Sequence, residues 1–147
     1  MRSVCSLTDT INAENVMEIN QTYQIKHIVQ HQDLASSISP DPEDEFPPVL
    51  ATSRMIALME FCSARFMKPL LGPGELSVGV GINIQHMVPT RAGEEVSIAS
   101  TFVGREGKLY RFKVAVADKQ GVVSDGEHTR AIVNREKLTR IADKRAA

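Results

Sequence analysis

One stretch constrains what this 147-residue chain can fold into more than any other. FPPVLATSRMIALMEFCSARFMKPL, residues 46–70, is the only long segment with helical periodicity. Thr52 stands where a hydroxyl can cap a helix start by accepting from a free backbone N–H, and Pro69 predicts an end after Met67 or Lys68, leaving about four turns between them. Met55, Leu58, Met59, Cys62 and Phe66 recur at three- and four-residue steps and predict a buried face, while Arg54, Arg65 and Lys68 project from another. Glu60 belongs to neither group. The residues one turn away are Ile56, Ala57, Ser63 and Ala64, none able to form a salt bridge, so the carboxylate faces a pocket, a partner from elsewhere, or a solvated seam.

Around this helix the chain divides simply. Residues 1–20 are polar and weakly patterned and read as an N-terminal arm, and residues 21–147 read as a single domain of sufficient length for a real core. QTYQIKHIV, 21–29, places Tyr23, Ile25, His27 and Val29 on one side and reads as a first strand. SSISPDPEDEFPP, 36–48, holds four prolines and a cluster of acids, with Phe46 its one aromatic residue. It predicts irregular structure, with 36–50 either a lid over a pocket beside the helix start or a plain surface connection.

After the helix, four further strands are predicted at 76–86, 95–103, 108–118 and 122–134, joined by short turns with glycine, proline or aspartate. A short basic helix follows Asn134, itself placed as an N-cap. A helix apolar over most of its circumference needs a cover, and one antiparallel sheet must supply it. The expectation is an α+β domain of hot-dog architecture, with about five strands wrapped around one central helix and a short C-terminal helix, completed as a homodimer or larger by sheet edges joining.

Composition removes several function classes. Lys+Arg 17 against Asp+Glu 18 gives a formal net charge of −1, with no basic run before the tail, which argues against nucleic acid as a partner. The cysteines, Cys5 and Cys62, have no metal-ligand or CxxC spacing, and Cys62 falls on the apolar helix face, so a reduced core thiol in a cytoplasmic protein is expected. No segment has signal-peptide or membrane-span character. P-loop, dinucleotide-binding, HExxH and GxSxG patterns are lacking, and no metal is expected.

The residues that could carry chemistry lie on the helix and on two of the strands. In LSVGVGINIQH, Val78, Val80, Ile82 and Ile84 alternate with Gly79, Gly81, Asn83 and Gln85, and His86 has the parity of the apolar face. Its imidazole should point to the helix side, as a core histidine or a catalytic one. The two glycines allow close approach of a ligand or relieve packing against the helix. In SDGEHTRAIVN, Ser124, Gly126, His128, Arg130 and Ile132 share a face, and Arg130 is expected to pair with a buried acid or hold an anionic group. Thr52, Glu60 and His86 together would supply a hydroxyl, a carboxylate and an imidazole, a set suited to attack on an activated acyl group.

FPPVLATSRMIALMEF, INIQHMVPTRAG and GEHTRAIVNREKL, with the intervals between them, resemble the fluoroacetyl-CoA thioesterase group of hot-dog thioesterases over about residues 46–140. The resemblance implies acyl-CoA hydrolysis in a dimeric protein, with coenzyme A entering as part of the substrate and no separate cofactor. It implies a catalytic set at Thr52, Glu60 and His86, with Gly79 and Arg130 lining the site and Phe46 on the lid, and the mechanism expected of that set is activation of water or of the Thr52 hydroxyl by His86, polarised by Glu60. Two departures argue against fluoroacetyl-CoA itself: the lid of that family carries a second phenylalanine where this chain has Glu43, and a second proline stands at the position of Arg91. Fold alone leaves two rivals, a dehydratase or hydratase acting on acyl thioesters and a non-catalytic acyl-CoA binding module.

Overall fold

The computed structural model describes residues 17–147. Most of the expected N-terminal arm, with Cys5, lies outside the described residues. The elements are β1 (Thr22–Ile28), a short 3-10 turn (His31–Asp33), α1 (Ala35–Ile38), the central helix α2 (Thr52–Met67), β2 (Glu75–His86), β3 (Glu95–Glu106), β4 (Leu109–Asp118), β5 (Gly121–Asn134) and α3 (Arg135–Ala146). The expected helix, five strands and terminal helix are all present. The additions are the 3-10 turns at His31–Asp33 and Lys68–Leu70 and α1, the last a single turn that enters the stretch where irregular chain was expected. Among the described residues no helix is long and apolar enough to cross a membrane.

The five strands form one antiparallel sheet in the order β1-β3-β4-β5-β2, so β1 and β2 are its edges. The sheet curls over one face of α2. Met55, Leu58, Met59, Cys62 and Phe66 are all buried, as the periodicity requires, against Val96, Ile98, Phe102, Phe112, Val114, Val116 and Val123. Phe66 lies between Tyr23 and Phe112 at centroid distances of 5.7 and 5.9 Å. Two polar groups inside this contact are satisfied locally: the hydroxyls of Ser63 and Ser100 share a 2.8 Å hydrogen bond, and the Cys62 thiol donates to the carbonyls of Tyr23 and Ile98. Burial pushes the Cys62 thiol up to about 11, which fits the expected inert core thiol.

The start of α2 is held by backbone rather than by a cap. Thr52 is the first helical residue, and the cap position belongs to Ala51, which has no side chain to cap with. Ala51 N–H donates to the Asp33 carbonyl, Ala35 N–H to Val49, and Leu50 N–H to Thr90, which stitches three segments around the helix start. The Asp33 carboxylate, itself buried, accepts from His27 Nε2 at 2.7 Å, from Gln30 N–H at 2.8 Å and from Arg54 at 2.9 to 3.0 Å. Burial pulls its pKa upward, but those three donors outweigh burial and hold it below the usual carboxylate value. Arg54, read from sequence as part of an outward cationic face, is thereby tied to the root of the 36–50 loop.

The simple alternation expected of β2 is broken. A bulge falls between Gly79 and Gly81, where Val80 has no partner on β5. Opposite residues of an antiparallel pair share a face. Ser77, Gly79, Ile82, Ile84 and His86 stand opposite Ile132, Arg130, His128, Gly126 and Ser124. His86 therefore points inward as expected, but Gly79 joins it there, and Val80 stands 55% exposed at the sheet edge.

Phe112 is 1% exposed and contacts both Phe66 and Phe102. Phe112→Ala should cost about 3 to 5 kcal/mol in urea unfolding. A loss near 1 kcal/mol would show that this cluster is not the keystone of the helix-sheet contact.

Candidate active site

Two clusters of chemistry-bearing side chains lie along α2. The first is at its N-terminus. Thr52 Oγ1 and His86 Nδ1 are 2.8 Å apart, the strand-end imidazole meeting the first helical hydroxyl. With Ala51 at the cap position, no side chain among the described residues binds the N–H groups of the first turn. Burial holds the His86 pKa below the ordinary histidine value, against a smaller opposing pull from the Val88 backbone. That backbone contact falls short of a well-formed hydrogen bond, so His86 Nε2 is buried without a good partner among the described residues. A neutral His86 can accept the Thr52 proton at Nδ1.

This pair lines a cavity of about 550 Å³ between the 36–50 loop, the start of α2 and the chain after β2. Phe46 stands on its rim, 52% exposed. Glu43, by contrast, does not line the cavity. It belongs to an outer turn in which the Glu43 N–H donates to Asp41, the Asp41 N–H to Ser39 Oγ, and the Ser39 hydroxyl to Asp44.

The second cluster centres on Glu60. Arg130, 5% exposed on β5, donates from Nη1 to Glu60 Oε2 at 3.3 Å, from Nε to Ser77 Oγ at 3.1 Å and from Nη2 to the Ser77 carbonyl at 2.9 Å. The partner from elsewhere that Glu60 required is therefore Arg130, and the acid expected for Arg130 is Glu60. Burial lowers the pKa of Arg130 and the Glu60 charge opposes that shift. Gly79 leaves room for this pair: a Cβ at this position would stand 3.4 Å from His128 Cε1 and would push the Glu60 carboxylate off its place beside Arg130.

His128 completes the second cluster and was not singled out for chemistry from sequence. Its Nδ1 lies 2.8 Å from the Gly81 carbonyl, which can only accept, so Nδ1 carries the proton. Nε2 then accepts from Arg130 Nη1 at 3.2 Å. Burial lowers the His128 pKa, the Gly81 carbonyl opposes that, and the Arg130 charge lowers it further. Its position on the inner face of β5 was legible. Its role depends on the β2 bulge, which presents the Gly81 carbonyl and has no signature beyond the two glycines.

The clusters do not merge within one chain. Thr52 and Glu60 are eight residues apart on a helix, about 12 Å along its axis. Glu60 hydrogen-bonds to Arg130 and not to His86, so the expected polarisation of His86 by Glu60 is not made within the chain. Among the described residues no group of three or more His, Cys, Asp or Glu side chains is placed to hold a metal ion.

Comparison with known proteins bears on this arrangement. The model of the family described as fluoroacetyl-CoA-specific thioesterase matches residues 29–136. A fluoroacetyl-CoA thioesterase of Streptantibioticus cattleyicolor is 36% identical over 94 residues, which cover 64% of this chain and 68% of that protein. A crystal structure of the fluoroacetyl-CoA thioesterase FlK superposes with a TM-score of 0.84 at 30% identity, covering 88% of this chain and 97% of that one. A variant of FlK in complex with fluoroacetate and CoA gives a TM-score of 0.79 at 31% identity, covering 83% and 99%.

The crowding at Gly79 yields a test that needs no assay of activity. Gly79→Ala should destabilise the protein by about 1 to 3 kcal/mol. Combined with Glu60→Ala, which removes the carboxylate it strikes, the two losses should be clearly less than additive in a double-mutant cycle. Additive losses would mean that Glu60 does not lie over Gly79.

Proposed function

The chain belongs to the fluoroacetyl-CoA-specific thioesterase family, and on that premise we propose that it hydrolyses an acyl-CoA thioester to a free acid and coenzyme A, with Thr52, His86 and Glu60 as catalytic residues. The observation that carries this reading is the Thr52–His86 hydrogen bond at the uncapped start of α2. His86 Nδ1 takes the proton of the Thr52 hydroxyl as Oγ1 attacks the thioester carbonyl carbon. The free N–H groups of the first turn, at the positive end of the helix dipole, are the donors for the developing oxyanion. As the C–S bond breaks, the imidazolium returns the proton to the departing thiolate. Water then hydrolyses the Thr52 ester by the same route, with His86 as its base. The direct hydrogen bond favours this path over one in which Thr52 only orients water.

Glu60 enters from a second copy of the chain. β2 is an uncovered edge strand of 12 residues, and Val80 beside the bulge is 55% exposed. The Glu60 side chain is 43% exposed and Phe61 is 45% exposed, so this flank of α2 is also uncovered. Two copies joined at their β2 edges with antiparallel helices bring the Glu60–Arg130 cluster of one protomer toward the Thr52–His86 cluster of its partner. Gly79 and Arg130 then contribute to a substrate site of which Phe46 forms the opposite rim. The CoA complex of the related enzyme supports an acyl-CoA substrate. The outward placement of Glu43, where the family has a lid phenylalanine, supports an acyl group other than fluoroacetyl.

His86→Ala should lower thiol release from acyl-CoA by about 10²- to 10⁴-fold while the protein stays folded. Because the reacting His86 is neutral and its pKa is lowered by burial, the acid limb of the kcat/KM profile should fall below about pH 6.5. Inactive His86→Ala and Glu60→Ala proteins, mixed and allowed to exchange protomers, should recover about a quarter of wild-type activity, because half the dimers are mixed and each of those holds one intact site. Mixtures that stay inactive after proven exchange would place the whole site within one chain.

A further inference from the structure

The cavity at Thr52 and His86 also speaks to the acyl group. Its lining includes Ile38, Phe46, Val49, Leu50, Met87 and Val88, and among the described residues no Asp, Glu, Lys or Arg side chain borders it. Among the described residues of one chain His86 is its sole titratable group, and Arg130, which a second copy would bring to the thioester end, is already paired with Glu60. Four of these side chains are exposed as well as large and apolar: Ile38 at 42%, Phe46 at 52%, Met87 at 54% and Val88 at 43%. Solvated hydrocarbon gathered around a reactive hydroxyl is the mark of a site that buries hydrocarbon from a ligand.

The size of the cavity points the same way. A volume of about 550 Å³ falls within the range of small-molecule sites, roughly 300 to 1,000 Å³. Each heavy atom of an acyl group takes up about the room of a water molecule, roughly 30 Å³. A two-carbon acyl group would leave most of this space to water and would cover little of the rim. The acids of the 36–50 loop do not alter the chemistry inside, because Asp41 and Asp44 are engaged in the outer turn and neither they nor Glu43 and Glu45 line the cavity.

From these observations we infer that the cavity is an acyl-chain site, and that the substrate is an acyl-CoA whose acyl group is an uncharged hydrocarbon longer than two carbons. The chain lies between the Ile38–Phe46 rim and the Met87–Val88 wall, with its thioester carbonyl at the start of α2. This rests on the reading of the protein as a thioester hydrolase, and the measurements below separate the two.

The decisive comparison uses the full-length protein with acetyl-, fluoroacetyl-, butanoyl-, hexanoyl- and succinyl-CoA for thiol release, and with non-hydrolysable S-alkyl-CoA thioethers of matching length for binding by calorimetry. Expected is a rise in kcat/KM of up to about fourfold for each added methylene from acetyl to hexanoyl. Succinyl-CoA should be at least about tenfold worse than butanoyl-CoA, because its carboxylate would be stripped of water. Thioether affinity rising with length in the absence of any thiol release would refute the hydrolase and leave the acyl-chain site standing. Fluoroacetyl- or acetyl-CoA turned over as well as hexanoyl-CoA, with thioether affinity flat in length, overturns the inference. Ala35→Phe and Val49→Phe, which fill the cavity from two different elements, should each lower the hexanoyl-to-acetyl ratio. An unchanged ratio in a folded variant would place the acyl chain elsewhere.

Discussion

The burial of α2 beneath a single curled sheet is the constraint on which the other features depend, because a sheet of five strands can cover one side of a helix and no more. Met55, Met59, Cys62 and Phe66 use that cover fully. What remains is a helix whose first turn and whose Glu60 flank lack it. A buried hydrocarbon contact thus fixes the helix to within the tolerance of close packing, while its first turn and Glu60 flank stay accessible. The backbone stitching of 33–35 to 47–51 and the three donors around Asp33 add the second coordinate, the position of the helix start along its own axis.

The two polar clusters are built on opposite principles. At the helix start little is satisfied among the described residues: no side chain caps the helix, His86 Nε2 has no good partner, and the hydroxyls of Ser124 and Thr90 are likewise buried without one. Around Arg130 the donors are nearly saturated, with Ser77, Glu60 and His128 each taking a share. Unspent hydrogen-bonding capacity suits groups whose partners change during a reaction, and saturation suits a charge that must not move. Glu60 presents one carboxylate oxygen to this rigid frame.

How much of this was legible follows from the range of each interaction. The buried face of α2, the Asn134 cap and the strand boundaries depend on neighbours within a few residues, and the sequence pattern predicts them to within three residues. That Glu60 needed a distant partner was readable from its lack of local ones. That the partner is Arg130, 70 positions away, was not, because pairing across a sheet depends on register. Thr52 was misread as a cap because hydroxyl residues favour both the cap and the first turn, and the Ala51 backbone bond to Asp33 decides between them. The expected polarisation of His86 by Glu60 is not made within one chain for a simpler reason, since about 12 Å of helix rise separates Glu60 from the Thr52 hydroxyl that His86 contacts.

The bulge at Val80 has one more consequence. Upstream of it the odd-numbered residues of β2 face the helix, and downstream the even-numbered ones do. The strand therefore carries a phase slip, and only with that slip in place can Gly79 and His86 both look inward. Loss of one residue there would keep the strand pairing but force a choice, turning either the arginine frame or the imidazole out to solvent. In this architecture a single unpaired valine on an edge strand is the spacer that lets two halves of a site share one strand.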